Sequence, residues 1–252
     1  MLRNLYLFIA KCCLVLFLNF DLKEQMNKRI MCFGDSLTWG FGATPAGVLV
    51  ERYAKENRWT GVLANALGDN FEVLEEGLCG RTTNLDDPLD DRLNGARYLP
   101  SALASHMPLD LVVIMLGTND AKVYFNRPAF EISVAISKLI DIVVKSSGST
   151  GAVYSAPSVL LMAPPPLATC IPNPWVADLF KGGREKTLAL SKHLKDLSTL
   201  LEIPFFDAGL VITSEGTDGI HLSEKSNQIL GMELADYIRS EKSLHFTKQV
   251  VL

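Results

Sequence analysis

A repeated alternation of short apolar runs with longer amphipathic stretches restricts the fold more than any other feature of this sequence. Five apolar runs are typical of strands, and we predict strands at 29–33, 71–76, 111–116, 159–163 and 203–208. A stretch with helical periodicity follows each run, and these helices are predicted at 58–67, 97–106, 130–144, 185–201 and 224–240. Pro100 is expected near the start of the second helix, where proline is tolerated.

This order of elements predicts an α/β protein with a parallel sheet that is covered by helices on both faces. The continuously apolar run LVVIML at 111–116 is typical of a strand buried on both sides. Without an internal repeat or linker, we expect one domain over 26–252, built as a flavodoxin-like three-layer sandwich around a five-stranded parallel sheet. The first strand would border the second and third, so ligands would bind beyond the carboxyl ends of these strands.

Residues 1–25 form a hydrophobic extension ahead of this domain. Lys11 divides the apolar stretch into Leu5–Ala10 and Cys12–Leu18, which are both shorter than the about 20 residues that span a bilayer. Three interpretations stay open: a misassigned start with translation beginning at Met26, an export signal, or a membrane anchor. We expect a cytoplasmic protein in the first case and an exported or anchored one in the others.

Charge and cysteine content exclude several functional classes. A net charge of −4 argues against a nucleic-acid partner, because phosphate-binding surfaces carry a basic excess. The five cysteines are odd in number and lack paired C-x-x-C spacing, which supports neither a disulfide framework nor a zinc site. We therefore predict a reducing compartment, no cofactor and no metal, with Cys32 as a small buried apolar residue.

Polar residues with complementary chemistry follow the predicted strands. Ser36 ends the first strand in FGDSLTWGFG, where it is either a nucleophile or an ordinary turn serine. A serine nucleophile needs a base, and His221 in DGIH has a carboxylate, Asp218, placed to hold its ring. Of the other three histidines, His106 is predicted at a helix end, His193 on a charged helix face and His245 in the C-terminal tail. The pattern favours a Ser36–His221–Asp218 triad, with a simple turn role as the alternative for Asp218.

An acyl-transfer site also needs donors for the oxyanion that develops on the substrate. The backbone N–H groups of Ser36 and Gly80 and the side-chain amide of Asn119 are predicted to supply them. Asp35 is expected to bond its own turn, and Asp120 to cap the segment that follows it. The substrate pocket is predicted to include Leu37, Trp39, Phe41, Thr118, Lys122, Trp175 and Phe180, with core or interface packing as the alternative for the aromatic residues.

The motifs GDSLTWG, the Gly80 loop, GTND and DGIH resemble, in order, the four blocks of the SGNH (GDSL-type) hydrolase family. The segments RWTGVLA, RLNGARYLP and FFDAG extend the resemblance to its bacterial arylesterase/acyltransferase branch, from about Lys28 to the last helix. The resemblance implies the triad and oxyanion hole named above. It further implies hydrolysis of short-chain and aryl esters, transfer of the acyl group to alcohols or water, and a homo-oligomer up to an octamer.

Other functions remain possible on the same sequence features. A GDSL-type lysophospholipase, thioesterase or carbohydrate deacetylase would use the same triad on a different substrate. A non-catalytic binding module is disfavoured because every catalytic role is filled. A phosphate-binding loop in the glycine-rich segment 34–47 is disfavoured because no G-K-[ST] follows it.

Overall fold

The computed structural model describes residues 27–42, 51–214, 218–242 and 244. The N-terminal extension and His245 lie outside these described residues. The strands are β1 (Lys28–Gly34), β2 (Phe71–Gly77), β3 (Leu111–Met115), β4 (Gly148–Ser149), β5 (Ala152–Val153), β6 (Ser158–Ala163) and β7 (Phe205–Asp207). Five of them form one parallel sheet in the order β2-β1-β3-β6-β7, and β4 and β5 form a separate two-stranded hairpin. The predicted α/β class, the five-stranded parallel sheet and the position of the first strand between the second and third are confirmed.

Seven α-helices occur in the described part of the chain. They are α1 (Ser36–Trp39), α2 (Trp59–Leu67), α3 (Gly95–His106), α4 (Ala129–Val144), α5 (Pro174–Leu179), α6 (Gly183–Leu200) and α7 (Glu224–Ser240). The five predicted helices are all present, whereas α1 and α5 were not predicted because one turn or two carry little periodicity.

The predicted position of Pro100 near the start of a helix is wrong. Pro100 is the sixth residue of α3, because the side chain of Asn94 accepts a hydrogen bond from Arg97 N and starts the helix at Gly95. Proline has no N–H for the carbonyl of residue i−4, so the helix lacks one internal hydrogen bond at that point.

The sheet separates two hydrophobic clusters, and the alternating side chains of β1 contribute to both. Ile30 and Cys32 pack with α2 and α7, while Met31 and Phe33 pack on the opposite face with α3, α4 and α6. All four side chains are fully buried, which confirms the interpretation of Cys32 as a buried apolar residue. Helices on both faces make the predicted three-layer sandwich. Within the described ranges, no helix combines the length and the apolar character that a membrane crossing requires.

The parallel register aligns the ends of the three central strands. Gly34 at the end of β1 lies opposite Gly77 of β2 and Met115 of β3, so the segments that follow these strands leave the sheet at one edge. A Cβ atom on Gly77 would lie 2.3 Å from the backbone nitrogen of Trp39, so only glycine allows α1 to approach β2 this closely. This carboxyl edge of the sheet holds the candidate site.

Candidate active site

Ser36 is the first residue of α1, the one-turn helix that begins directly after β1. The Oδ1 atom of Asp35 accepts a hydrogen bond from Leu37 N at 3.0 Å and thereby caps the helix. Gly40, with φ of +85°, ends it in the left-handed conformation that glycine adopts without strain. The short helix therefore holds Ser36 in a fixed position at the carboxyl edge of the sheet.

The structure brings Ser36, His221 and Asp218 into one hydrogen-bonded chain. Ser36 Oγ lies 2.9 Å from His221 Nε2, and His221 Nδ1 lies 2.6 Å from Asp218 Oδ2. The carboxylate favours the proton on Nδ1, which leaves Nε2 free to accept the hydroxyl hydrogen of Ser36. This is the arrangement in which an imidazole can deprotonate a serine hydroxyl.

Asp218 also shapes the loop that carries His221. Its Oδ1 atom accepts hydrogen bonds from the backbone N–H groups of Ile220 at 2.9 Å and His221 at 2.8 Å. Burial alone would raise the pKa of Asp218, but the His221 ring and these two N–H groups outweigh it and hold the pKa below its ordinary value. The two oxygens of Asp218 thus make the contacts expected of both alternatives: Oδ1 bonds its own turn and Oδ2 bonds the His221 ring.

The segment 165–183 packs against the loop that carries His221. Ala168 N donates to the carbonyl of Gly219 at 2.9 Å, and Ile220 packs in a small apolar cluster with Leu167 and Phe180. A Cβ atom on Gly219 would lie 2.7 Å from the carbonyl oxygen of Cys170, which shows how closely the two segments approach. The position of His221 therefore depends on a segment that lies outside the sheet.

The ring of Phe41 stacks on the imidazole of His221. The two ring centroids are 3.8 Å apart and the ring planes differ by 18°. This contact covers one face of the imidazole and restricts the orientation of its plane. Phe41 was predicted as a pocket residue, and the structure places it directly against the candidate base.

The three predicted oxyanion donors lie on the segments that follow β1, β2 and β3. Gly80 has φ of +84°, and in the described part of the chain neither its N–H nor that of Ser36 has an acceptor. Asn119 Nδ2 donates to the carbonyl of Arg81 at 3.1 Å and to Asp35 Oδ2 at 3.3 Å. The Asn119 amide therefore joins the Gly80 loop to the turn that presents Ser36.

Asp35 bonds its own turn, as predicted, and also accepts the bond from Asn119. Burial raises the pKa of Asp35 to about 6, although the Leu37 N–H bond and the electrostatic effects of the His221 and Arg81 side chains oppose this shift. The buried charge of Asp120 adds to the rise. Asp35 therefore holds its proton to a higher pH than an ordinary aspartate does.

The expectation that Asp120 caps the segment after it is wrong. Its carboxylate turns back toward the loop after β2 and accepts from Thr83 N at 2.9 Å and from Thr83 Oγ1 at 2.5 Å. Arg127 Nη1 donates to the same carboxylate at 3.2 Å. Because Asp120 follows Asn119, these bonds fix the spacing between the two loops that carry Asn119 and Gly80.

The other predicted pocket residues occupy different environments. Lys122 is nearly buried and pairs with Asp87, with Nζ 3.3 Å from Oδ2. The Arg52 guanidinium lies over the face of the half-buried Trp39 ring, with Cζ 5.1 Å from the ring centroid. The side chain of Trp175 on α5 is 70% exposed. Three further predicted residues are buried, and they are Leu37, Thr118 and Phe180.

The remaining described histidines have other partners. His106 Nε2 lies 2.7 Å from Glu76 Oε1, at the predicted helix end. His193 meets the ring of Phe130 edge-on at 5.7 Å on the surface of α6. Across the described ranges, no group of three or more His, Cys, Asp or Glu side chains is arranged to hold a metal ion.

Sequence reasoning missed Arg81 as a part of the site. Its guanidinium is buried behind the strand ends and contacts the carbonyl groups of Gly34 and Glu76. The one available signal was its position directly after Gly80, which did not reveal where the long side chain points.

Comparison with known proteins agrees with this geometry. The model of the GDSL-like lipase/acylhydrolase family matches residues 32–229. A curated arylesterase from Vibrio mimicus is 32% identical over 139 residues, which cover 54% of this chain and 58% of the relative, so less than two thirds of that protein's length is matched.

Two solved structures are similar over most of their length. The aryl esterase of M. smegmatis is 54% identical with a TM-score of 0.82, and the match covers 84% of this chain and 99% of that one. A carbohydrate acetylesterase from Sinorhizobium meliloti is 50% identical with a TM-score of 0.83, over 85% of this chain and 99% of that one. The fold, the order of the sequence blocks and the family match agree, and the chain belongs to the GDSL-like lipase/acylhydrolase family.

Proposed function

We propose that this protein is a serine esterase that hydrolyses short-chain and aryl carboxylic esters through an acyl-enzyme on Ser36. One observation carries the proposal: the hydrogen-bonded chain from Ser36 Oγ through His221 to Asp218, with steps of 2.9 and 2.6 Å. The family match and the arylesterase and acetylesterase relatives support ester cleavage as the reaction.

Acylation begins when His221 Nε2 takes the hydroxyl proton and Ser36 Oγ bonds to the ester carbonyl carbon. Asp218 stabilises the imidazolium that forms. The carbonyl oxygen becomes an oxyanion, for which the N–H groups of Ser36 and Gly80 and the amide of Asn119 are the proposed donors. The Asn119 N–H that lies 3.3 Å from Asp35 would be shared with the oxyanion. The carbonyl then re-forms, and the bond to the leaving alcohol or phenol breaks as its oxygen takes the proton from His221 Nε2.

Deacylation repeats these steps with a second nucleophile. His221 removes a proton from water or from an alcohol, whose oxygen attacks the acyl carbon. The bond from this carbon to Ser36 Oγ then breaks, and Ser36 Oγ takes the proton back from His221 Nε2. Water gives the carboxylic acid and an alcohol gives a new ester. Transfer to alcohols is part of the proposal, because the apolar Phe41 ring beside His221 restricts water on one face of the base.

The experiment that tests the proposal is removal of the nucleophile and the base. Ser36→Ala and His221→Ala should each lower kcat for p-nitrophenyl acetate by about 10⁴ to 10⁶, and the double variant should be little worse than either. A fluorophosphonate probe should label wild-type protein and not Ser36→Ala. Ser133→Ala is the matched control, because Ser133 is a buried serine that bonds a backbone carbonyl of α4. Retention of activity by Ser36→Ala would refute the proposal.

A second candidate function is deacetylation of carbohydrates, and the acetylesterase from Sinorhizobium meliloti favours it. The same triad would also serve a lysophospholipase or thioesterase. A panel of nitrophenyl esters of increasing acyl length, an acetylated sugar, a lysophospholipid and an acyl thioester separates these functions by kcat/KM. Running the panel with and without added alcohol measures the fraction of acyl groups that is transferred.

Assembly and location complete the proposal. We expect a homo-oligomer, up to an octamer, and the exposed apolar side chains of Phe130, Val134 and Val144 on α4 are available for subunit contacts. Light scattering after size exclusion measures the subunit number. A cytoplasmic location is compatible with the free thiols of Cys79 and Cys170.

A further inference from the structure

Arg81 is a charged residue in the protein interior, where burial makes a charge unfavourable. Only 2% of its surface is exposed, and its Nε–H has no acceptor within the described part of the chain. Burying a charged group without complete hydrogen bonding destabilises a fold. Residues that break such a rule are expected at functional sites rather than in a core that is optimised for stability.

The contacts of Arg81 reach the elements that carry all three proposed oxyanion donors. Its guanidinium donates to the carbonyl of Gly34 at 2.9 Å, two residues before Ser36, and also to the carbonyl of Glu76. Its backbone follows Gly80, and its own carbonyl accepts from the Asn119 amide at 3.1 Å. One residue thus links the end of β1, the end of β2 and the segment after β3.

Two aromatic rings restrict the guanidinium. Its Cζ atom lies 4.3 Å from the centroid of the Phe33 ring and 5.1 Å from that of Tyr98. These contacts, together with the carbonyl bonds, leave the side chain little freedom to change its orientation. A rigid guanidinium can therefore hold the strand ends at a fixed separation.

We infer that Arg81 is a positioning residue of the oxyanion hole: it fixes the N–H groups of Ser36 and Gly80 and the amide of Asn119 relative to one another. The inference rests on the proposed esterase function. Arg81 does not touch the reacting atoms, and its effect reaches them through Gly34, Gly80 and Asn119. Donors that are fixed before the reaction need no reorganisation when the oxyanion forms.

Both the positive charge of Arg81 and its hydrogen bonds favour the proposed oxyanion hole. The Asp35 carboxylate bonds the Asn119 amide, so it places negative charge close to the position where an oxyanion would develop. The guanidinium attracts this carboxylate and lowers its pKa against the effect of burial. Removing Arg81 would therefore raise the pKa of Asp35 further and would take away a positive charge that favours a developing oxyanion.

Lysine is not equivalent to arginine at this position. Arg81 Nη1 donates to two carbonyl groups from a planar group that lies against two aromatic rings, whereas an ammonium is a point charge on a flexible stem and has no planar group. Arg81→Lys therefore keeps the positive charge and loses part of the fixed geometry. Arg81→Met removes both, so the two variants separate the contribution of charge from that of geometry.

Arg29 provides a matched control. It lies at the amino end of β1, whereas Arg81 contacts the carboxyl end of that strand. The Arg29 guanidinium donates to the carbonyl of Pro108 at 2.9 Å and to that of His106, far from Ser36 along β1. Arg29→Lys therefore removes an arginine that binds two carbonyl groups without disturbing the candidate site. A purely structural role of Arg81 would make the two lysine variants behave alike.

The test measures kcat and KM with p-nitrophenyl acetate and the affinity for phenylboronic acid, which forms a tetrahedral adduct with a serine nucleophile. Arg81→Lys should lower kcat and the boronate affinity in parallel by about 10- to 100-fold, with KM changed less than about threefold. Arg29→Lys should change none of the three by more than about twofold. Arg81→Met should lower kcat further than Arg81→Lys.

A double-mutant cycle with Asn119→Ala keeps the inference open to refutation if Arg81→Met fails to fold. If Arg81 acts through Asn119, the loss of transition-state stabilisation in Arg81→Lys/Asn119→Ala should be smaller than the sum of the losses in the two single variants, each expressed as a free energy. Wild-type kcat and boronate affinity in Arg81→Lys, or fully additive losses in the cycle, would overturn the inference. Loss of the esterase proposal has a different signature, which is unchanged activity and boronate binding in Ser36→Ala.

Discussion

Asp35 provides a stability prediction whose sign and size follow from its environment. Its carboxyl group is buried, and its pKa is raised from the ordinary value of 3.8 to about 6. The folded protein therefore holds this proton more tightly than the unfolded chain does. Between these two values the native state binds more protons, so the contribution of Asp35 is fully present at low pH and is lost as the pH rises through 6.

The size of the effect follows from the shift of about two pKa units. Each unit corresponds to about 1.4 kcal/mol, so ionised Asp35 should reduce the free energy of unfolding by about 3 kcal/mol near pH 7. Asp35→Asn removes the titrating group and keeps a side-chain oxygen for the Leu37 N–H. The free energy of unfolding of the variant, relative to wild type, should therefore rise by about 2 to 3 kcal/mol between pH 4 and pH 7.

Urea denaturation of both proteins at half-unit pH steps measures this difference. Asp90→Asn is the control, because hydrogen bonds from Arg92 lower the pKa of the half-buried Asp90 to about 2. The difference between Asp90→Asn and wild type should be flat above about pH 5. A flat difference for Asp35→Asn, or one that falls as the pH rises, would refute the argument that burial dominates at Asp35.

Two further changes test the site and the sheet edge. Asn119→Ala should lower kcat by about 10² to 10³ with little change in KM, because the amide is proposed to act in the transition state; a pure KM effect in steady-state kinetics would make Asn119 a binding residue. Gly77→Ala should lower the free energy of unfolding by about 2 to 3 kcal/mol, because the added methyl group meets the backbone of Trp39. Gly182→Ala, where the backbone is left-handed with φ of +72° and no atom lies within 4 Å of the added Cβ, should cost only about 1 kcal/mol in the same urea titration, and equal losses would contradict the steric argument.

The fold was predictable because its signals are local and repeated. The continuously apolar run around Val113 indicated a buried central strand, and each strand was followed by a periodic helix. The meeting of Ser36 and His221 was predictable for a related reason. Parallel strands end at one edge, so polar residues that follow several strands were expected to lie close together.

The supporting contacts were not predictable because they depend on tertiary structure. Nothing in the sequence indicates that Arg81 turns behind the strand ends or that Asp120 bonds Thr83 instead of its own segment. Pro100 was misplaced because a side-chain cap at Asn94 set the start of the helix. Phe41 was assigned to the site region, but its stacking on His221 requires the loop before α7 to be in place.

The segment 165–183 holds the His221 loop, whereas Ser36 and its neighbouring donors are held by the ends of the central strands. The proposed nucleophile and the proposed base therefore belong to separately supported parts of the molecule. Substitutions in 165–183 can retune the reach and tilt of the imidazole while the serine and its donors stay unchanged. We therefore expect the reaction rate to be tunable through residues 165–183 while the sheet beneath them stays unchanged.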